Sequence, residues 1–95
     1  MQMRRTSEFT TWIDGMKDVM GRARILARIR RLGDGNPGDH RNLSAGISEL
    51  RIDAGPGYRV YYTQRGNELI ILLVGGDKSS QQRDIERATA LARNL

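Results

Sequence analysis

Ile47-Ser48-Glu49-Leu50-Arg51-Ile52-Asp53, Gly55-Pro56-Gly57, Tyr58 through Arg65, Gly66-Asn67 and the run Leu69-Ile70-Ile71-Leu72-Leu73-Val74 decide the fold. In the first stretch Ile47, Glu49, Arg51 and Asp53 alternate with Ser48, Leu50 and Ile52, the period of two of a strand with unlike faces. Gly55-Pro56-Gly57 turns the chain into a second strand, where Tyr58, Val60 and Tyr62 share one face and Arg59, Tyr61, Thr63 and Arg65 the other. Gly66-Asn67 turns it again. The run Leu69–Val74 is apolar on both faces, as an interior strand is.

Working outward, residues 1–5 can form a short first strand. Thr6 or Ser7 then caps a helix whose stripe Phe9, Trp12, Ile13 and Met16 has helical spacing, with Gly15 ending it. A second helix from about Asp18 to Leu32 sets Ile25, Ile29 and Leu32 on one side with Val19 and Leu26 nearby, opposite a ridge of Arg24, Arg28 and Arg31. Residues 33–39, rich in glycine with Asn36 and Pro37, read as a loop, and His40 falls in it without an evident partner. Past the strands, Gly75-Gly76-Asp77-Lys78 leaves the sheet. Ser79-Ser80-Gln81-Gln82 offers a capping box to a last helix carrying Ile85, Ala88, Leu91, Ala92 and Leu95. The order predicted is β-α-α-β-β-β-α: an α+β fold in which an antiparallel meander packs on helices covering one face and one end.

Ninety-five residues support a single domain, taken as 1–95. There is no cysteine, hence no disulfide or thiolate metal site. No apolar signal region follows Met1, and the longest apolar run is far too short to span a bilayer, so the expected location is cytoplasmic, with no membrane partner. Sixteen lysines and arginines against eleven acidic residues give a formal charge of +5. Nearly all the basic residues are arginine, whose planar fork holds phosphate oxygens bidentately and stacks on bases. A polyanion, above all nucleic acid, is the partner such a chain favours.

If Leu50, Ile52, Val60 and Tyr62 face the helices, the period of two places Glu49, Arg51, Arg59 and Tyr61 together on the opposite face of adjacent strands. Asp77 and Lys78 emerge nearby, beside a helix N-terminus that favours a phosphate. RNA cleavage without a metal requires a base for the 2′-hydroxyl, cations for the transition state and an acid for the leaving 5′-oxygen. Arg51 and Arg59 can clamp the phosphate, Glu49 or Asp77 can accept a proton, and Lys78 or Tyr61 can donate one. No set of carboxylates and histidines has metal-ligand spacing, and no cofactor is implied. Arg24, Arg28, Arg31 and Arg65 are further candidates for RNA contact. The alternative for the strand patch is a solvated sheet face, and Phe9, Trp12 and Ile13 read as core rather than a base-stacking platform.

Ser48–Ile52, Gly55–Tyr62, Gly75-Gly76-Asp77-Lys78-Ser79, Gln81 and Asp84-Ile85 resemble the addiction-module killer proteins of the RelE/ParE superfamily, in particular HigB-like toxins of the phage-derived Gp49-like kind. Arg5-Thr6, Glu8-Phe9, Trp12 and the segment from Arg28-Ile29 to Gly38-Asp39 agree, so the resemblance covers essentially the whole chain. It implies a RelE-like fold and a type II toxin: an mRNA interferase cutting transcripts in the ribosomal A site. Its implied partners are the ribosome, mRNA and a cognate antitoxin, usually a helix-turn-helix protein that alone touches operator DNA. Arg51, Arg59 and Asp77 match positions that recur in HigB-like nucleases. Where those have histidine after the last strand, Lys78 and Ser79 stand here, which leaves the proton donor open. Alignment of the RNA by the ribosome compensates for weak acids and bases, so little activity on naked RNA is expected. The alternatives are a ParE-like gyrase poison on the same scaffold, or a non-catalytic module binding antitoxin or nucleic acid.

Overall fold

The computed structural model describes residues 1–95. The chain forms β1 (Gln2–Arg5), α1 (Ser7–Asp14), α2 (Val19–Gly33), β2 (His40–Asn42), β3 (Ile47–Ile52), β4 (Tyr58–Arg65), β5 (Leu69–Asp77), a 3-10 turn (Lys78–Ser80) and α3 (Gln81–Arg93). It is a mixed α+β fold with one five-stranded sheet, ordered β1-β5-β4-β3-β2. β1 runs parallel to β5, and the other pairs are antiparallel. No helix is long and apolar enough to cross a membrane.

Local chemistry sets the helix ends as expected. The Thr6 hydroxyl accepts from the Phe9 amide at 3.1 Å and donates to the Leu73 carbonyl at 2.6 Å, so one residue caps α1 and pins it to β5. Gly15 closes α1 by donating to the Thr11 carbonyl at 3.0 Å. Asp18 caps α2 through the Gly21 amide at 3.0 Å and accepts from the Tyr58 hydroxyl at 2.6 Å, tying α2 to β4.

The strand reading holds for β3, β4 and the interior strand β5. The expected placement of helices does not. Phe9, Ile13, Ile25, Ile29 and Leu32 of α1 and α2 pack on Leu50, Ile52, Val60, Tyr62, Ile70 and Leu72. On the other face α3 brings Ala88, with Ile85, Leu91 and Ala92, onto Ile47, Tyr61, Ile71, Leu73 and Val74. Helices therefore cover both faces of the sheet, and each fully buried apolar side chain contributes about 1.5–3 kcal/mol. The strand face expected to be polar and open lies partly beneath α3. Trp12, half-buried, packs beside Phe9 and Tyr58 with ring centroids 5.8 and 6.4 Å away, which fits the core reading.

Other boundaries also differ. The segment containing His40 is β2, an edge strand paired with Leu50, Glu49 and Ser48 of β3. β5 continues through Gly75, Gly76 and Asp77, which pair with Val60, Arg59 and Tyr58, so the two glycines lie inside the sheet. They are there because side chains cross directly above them. A Cβ on Gly75 would fall 2.0 Å from the Trp12 ring, and one on Gly76 would fall 1.9 Å from Asp84 Oδ2. A register shift opposite Tyr61/Tyr62 leaves Leu73 between the partners Leu72 and Val74, so Leu73 and Val74 both join the α3-side core. The capping box lies two residues earlier than expected: Asp77 caps the 3-10 turn with Ser80 reciprocating, whereas Ser80 makes no side-chain cap bond to α3. Val19 is 76% exposed rather than packed, because it precedes the inward stripe of α2.

The tie through Asp18 predicts an acid dependence. The Tyr58 hydroxyl, then the Gly21 amide, lower the Asp18 pKa below its ordinary value of 3.8. A carboxyl depressed in the folded state stabilises fully above its unfolded pKa and loses that contribution as pH falls through the folded one. The melting temperature of the wild type is therefore expected to fall as pH drops below about 4. Asp18→Asn should start lower at neutral pH and fall less steeply, which parallel thermal melts from pH 7 to pH 2.5 would check.

Candidate functional site

At the ends of β3 and β4, where the Gly55-Pro56-Gly57 turn meets the start of α3, an open cleft of about 590 Å³ is lined by Arg41, Arg51, Arg59, Lys78, Gln81, Asp39, Asp53 and backbone. Arg51 and Arg59 stand directly opposite one another across β3 and β4. Two like charges in that relation destabilise a sheet unless something neutralises them. Arg51 has a counter-ion: its Nε donates to Glu49 Oε1 at 3.0 Å. Arg59 has none. It is 8% exposed, its Nη1 donates to the carbonyls of Gly57 and Tyr58 at 3.1 Å, and its Nε is enclosed without an acceptor. No carboxylate lies within ion-pair distance of Arg59 or Lys78. A nearly buried guanidinium without a counter-ion, opposed by a second one, is an arrangement that an anion completes.

Lys78 is placed by Gly57. The Gly57 carbonyl accepts from the Lys78 amide at 3.1 Å as well as from Arg59 Nη1. Gly57 has φ +83°, and a Cβ there would lie 3.1 Å from Lys78 Cδ, so the lysine stem runs across the bare backbone. Asp77 accepts from the Ser79 amide at 2.8 Å and its hydroxyl at 2.5 Å, with the Ser80 hydroxyl 3.3 Å from the Asp77 amide. The Ser79 hydroxyl chiefly, opposed by desolvation and aided by the Ser79 and Ser80 amides and the Arg83 charge, holds the Asp77 carboxyl below its usual range. Asp77 is thus an anionic cap that fixes the turn bearing Lys78.

Glu49 and Tyr61, cross-strand partners, are fully buried beneath α3 and do not line the cleft. Burial alone would raise the Glu49 pKa, but hydrogen bonds from Gln81 and Arg51, the adjacent Tyr61 hydroxyl and the nearby Arg41 charge outweigh it and lower the value. The Tyr61 hydroxyl has no partner in good hydrogen-bonding geometry, and desolvation followed by the Glu49 charge pushes its pKa far above the ordinary tyrosine value. Glu49 is accordingly ionised and Tyr61 protonated at neutral pH.

The expected arginine ridge divides. Arg28 donates to the carbonyls of Arg51 at 2.5 Å, Pro37 at 2.8 Å and Asp39 at 3.0 Å, so it braces the loop before β2 against β3. Arg24 and Arg31 are exposed and, with Arg28, line a groove of about 370 Å³ that shares Ile52 and Asp53 with the cleft. Arg65 is exposed six residues beyond Arg59 on β4, about 20 Å along the strand, and is not gathered with them. The Gly38 carbonyl lies 2.8 Å from His40 Nδ1 and accepts from it in the tautomer protonated there, and the ring lies outside the cleft. No group of three or more His, Asp or Glu side chains is close enough to hold a metal ion. Arg41, Gln81 and the placing role of Gly57 were not anticipated. Arg41 comes from the unforeseen strand β2, and nothing in local sequence marks Gln81 as reaching back to β3.

The fold and site define a small mixed α+β protein with a cationic cleft at one end of its sheet. The chain belongs to the phage-derived Gp49-like family (DUF891), whose model matches residues 11–94. This is a RelE-like toxin family associated with toxin–antitoxin modules. An uncharacterized protein of Haemophilus influenzae (strain ATCC 51907 / DSM 11121 / KW20 / Rd) is 47% identical over 95 residues, covering all of this chain and 96% of the relative.

Proposed function

We propose that this protein is a HigB-like toxin that cleaves mRNA on the ribosome by metal-independent attack of the 2′-hydroxyl, and is restrained by a cognate antitoxin. The observation that carries the reading is Arg59, nearly buried, without a counter-ion and directly opposite Arg51 on the cleft floor. A phosphate bridging the two guanidiniums removes their repulsion, and the added charge of the pentacoordinate transition state is stabilised more strongly than the ground state. Lys78, set at the cleft rim, stabilises or protonates the leaving 5′-oxygen. The 2′-hydroxyl proton passes to solvent water or a ribosomal group as the new P–O bond forms, and the ribosome aligns that hydroxyl, which supplies much of the rate by positioning. Family membership in a toxin–antitoxin group supports the antitoxin partner.

Mapping transcript 5′ ends after induction tests the reading. Cuts confined to translated frames are expected, and growth arrest with intact transcripts and accumulating DNA breaks would point to gyrase instead. The groove beside the cleft adds a second expectation. Arg24 and Arg31 neutralise phosphates flanking the cut. Replacing both by alanine should flatten the plot of log binding constant against log salt by about 1.4 for single-stranded RNA, while leaving the cut position unchanged. Fluorescence anisotropy with a 2′-O-methyl oligonucleotide measures the slope.

A further inference from the structure

We propose that Glu49 and Gln81 form a positioning pair that fixes Arg51 for ligand binding, with Glu49 acting through Arg51 rather than as a base. The proposal rests on the nuclease reading of the cleft but concerns how its floor is built. Both carboxylate oxygens of Glu49 are engaged. Oε1 accepts from Arg51 Nε at 3.0 Å and lies 3.7 Å from Arg41 Nη2, and Oε2 accepts from Gln81 Nε2 at 2.8 Å. The side chain is 0% exposed and absent from the cleft wall, whereas Arg51, Arg41 and Gln81 all line it. A general base must come within hydrogen-bonding reach of the proton it removes, which this enclosure prevents.

The geometry gives the pair a different task. Glu49 holds Arg51 side-on through Nε, and neither terminal amino group of Arg51 makes a hydrogen bond within the protein. Two parallel donors are thereby left facing the cleft, the fork that grips two oxygens of one phosphate. Gln81, in the first turn of α3, holds the other oxygen of Glu49, so the seating of α3 on the sheet sets the aim of Arg51. The Glu49 charge also offsets the Arg51–Arg59 opposition until an anion arrives.

Two measurements test this on the full chain. In ¹H–¹⁵N spectra, the Arg51 Nε–H signal should be slow to exchange in the wild type and broaden or shift strongly in both Gln81→Ala and Glu49→Gln. In ribosome-dependent cleavage, both variants should lose about tenfold to a hundredfold in rate, with the acid limb of the pH profile unchanged. Gln81→Glu, which sets a second carboxylate against Glu49, should be at least as impaired. Loss of the acid limb in Glu49→Gln with Gln81→Ala indistinguishable from wild type would overturn the proposal and make Glu49 the base. An Arg51 Nε–H signal unmoved by either substitution would overturn it as well. A wild type that cleaves nothing on the ribosome would sink the nuclease reading, and the Arg51 signal would still decide this one.

Discussion

Induction of the Arg59→Ala protein is expected to leave growth unarrested and transcripts whole, with ribosome-dependent cleavage lowered by at least about a hundredfold. Arg59 is a nearly buried cation with no carboxylate partner, an enclosed Nε without an acceptor, and Arg51 directly across the strand pair. Removing it takes away transition-state stabilisation and also relieves a repulsion, so folding should survive. A thermal melt within a few degrees of wild type would show that. Arg59→Lys keeps the charge but cannot reproduce a planar fork held by the Gly57 and Tyr58 carbonyls, so it should recover only a small part of the activity. Toxicity retained in both variants would remove Arg59 from the mechanism.

The largest effect on stability is expected from Gly75→Ala. The added methyl would meet Trp12 Cε3, Cζ3 and Cδ2 at 2.0 to 2.5 Å, so the indole would have to leave its packing beside Phe9 and Tyr58. Overpacking of this kind costs about 3 kcal/mol. For a chain this size that lowers the melting temperature by roughly 12–24 °C. Gly66→Ala is the control for a clash: its Cβ would meet nothing within 4 Å, so only the strain of φ +58° remains. Combining Gly75→Ala with Trp12→Ala should cost less than the sum of the two, because the clash disappears with the ring.

The alternation in Ile47–Ile52 and Tyr58–Arg65 made two strands legible, since a period of two is a local property of side chains, and the apolar run Leu69–Val74 marked the third. β2 was not legible: His40, Arg41 and Asn42 are all exposed and are held in the sheet by backbone bonding, which leaves no apolar period. The same limit hid Gly75-Gly76. Read locally, two glycines are a turn, and only Trp12 and Asp84, distant in sequence, show that they are strand residues over which side chains cross. The apolar stripe of α3 was visible, but nothing in it says which face of the sheet it covers, so the burial of Glu49 and Tyr61 came only with the structure. Arg51 and Arg59 followed from strand period alone. Arg28 looked like its neighbours on α2, and its use in bracing the chain depends on carbonyls of Pro37, Asp39 and Arg51 that no helical periodicity reveals.

The central claim is most directly tested with purified ribosomes carrying a defined mRNA codon in the A site. The wild-type protein should cut within that codon, at magnesium just sufficient for ribosome integrity and with transition metals removed by a chelator selective for them, to leave a 2′,3′-cyclic phosphate and a 5′-hydroxyl. The same RNA without ribosomes, and programmed ribosomes with the Arg59→Ala protein, should remain nearly uncut. Intact mRNA on the ribosome from a preparation that still arrests growth, or ends bearing a 5′-phosphate, would contradict the account.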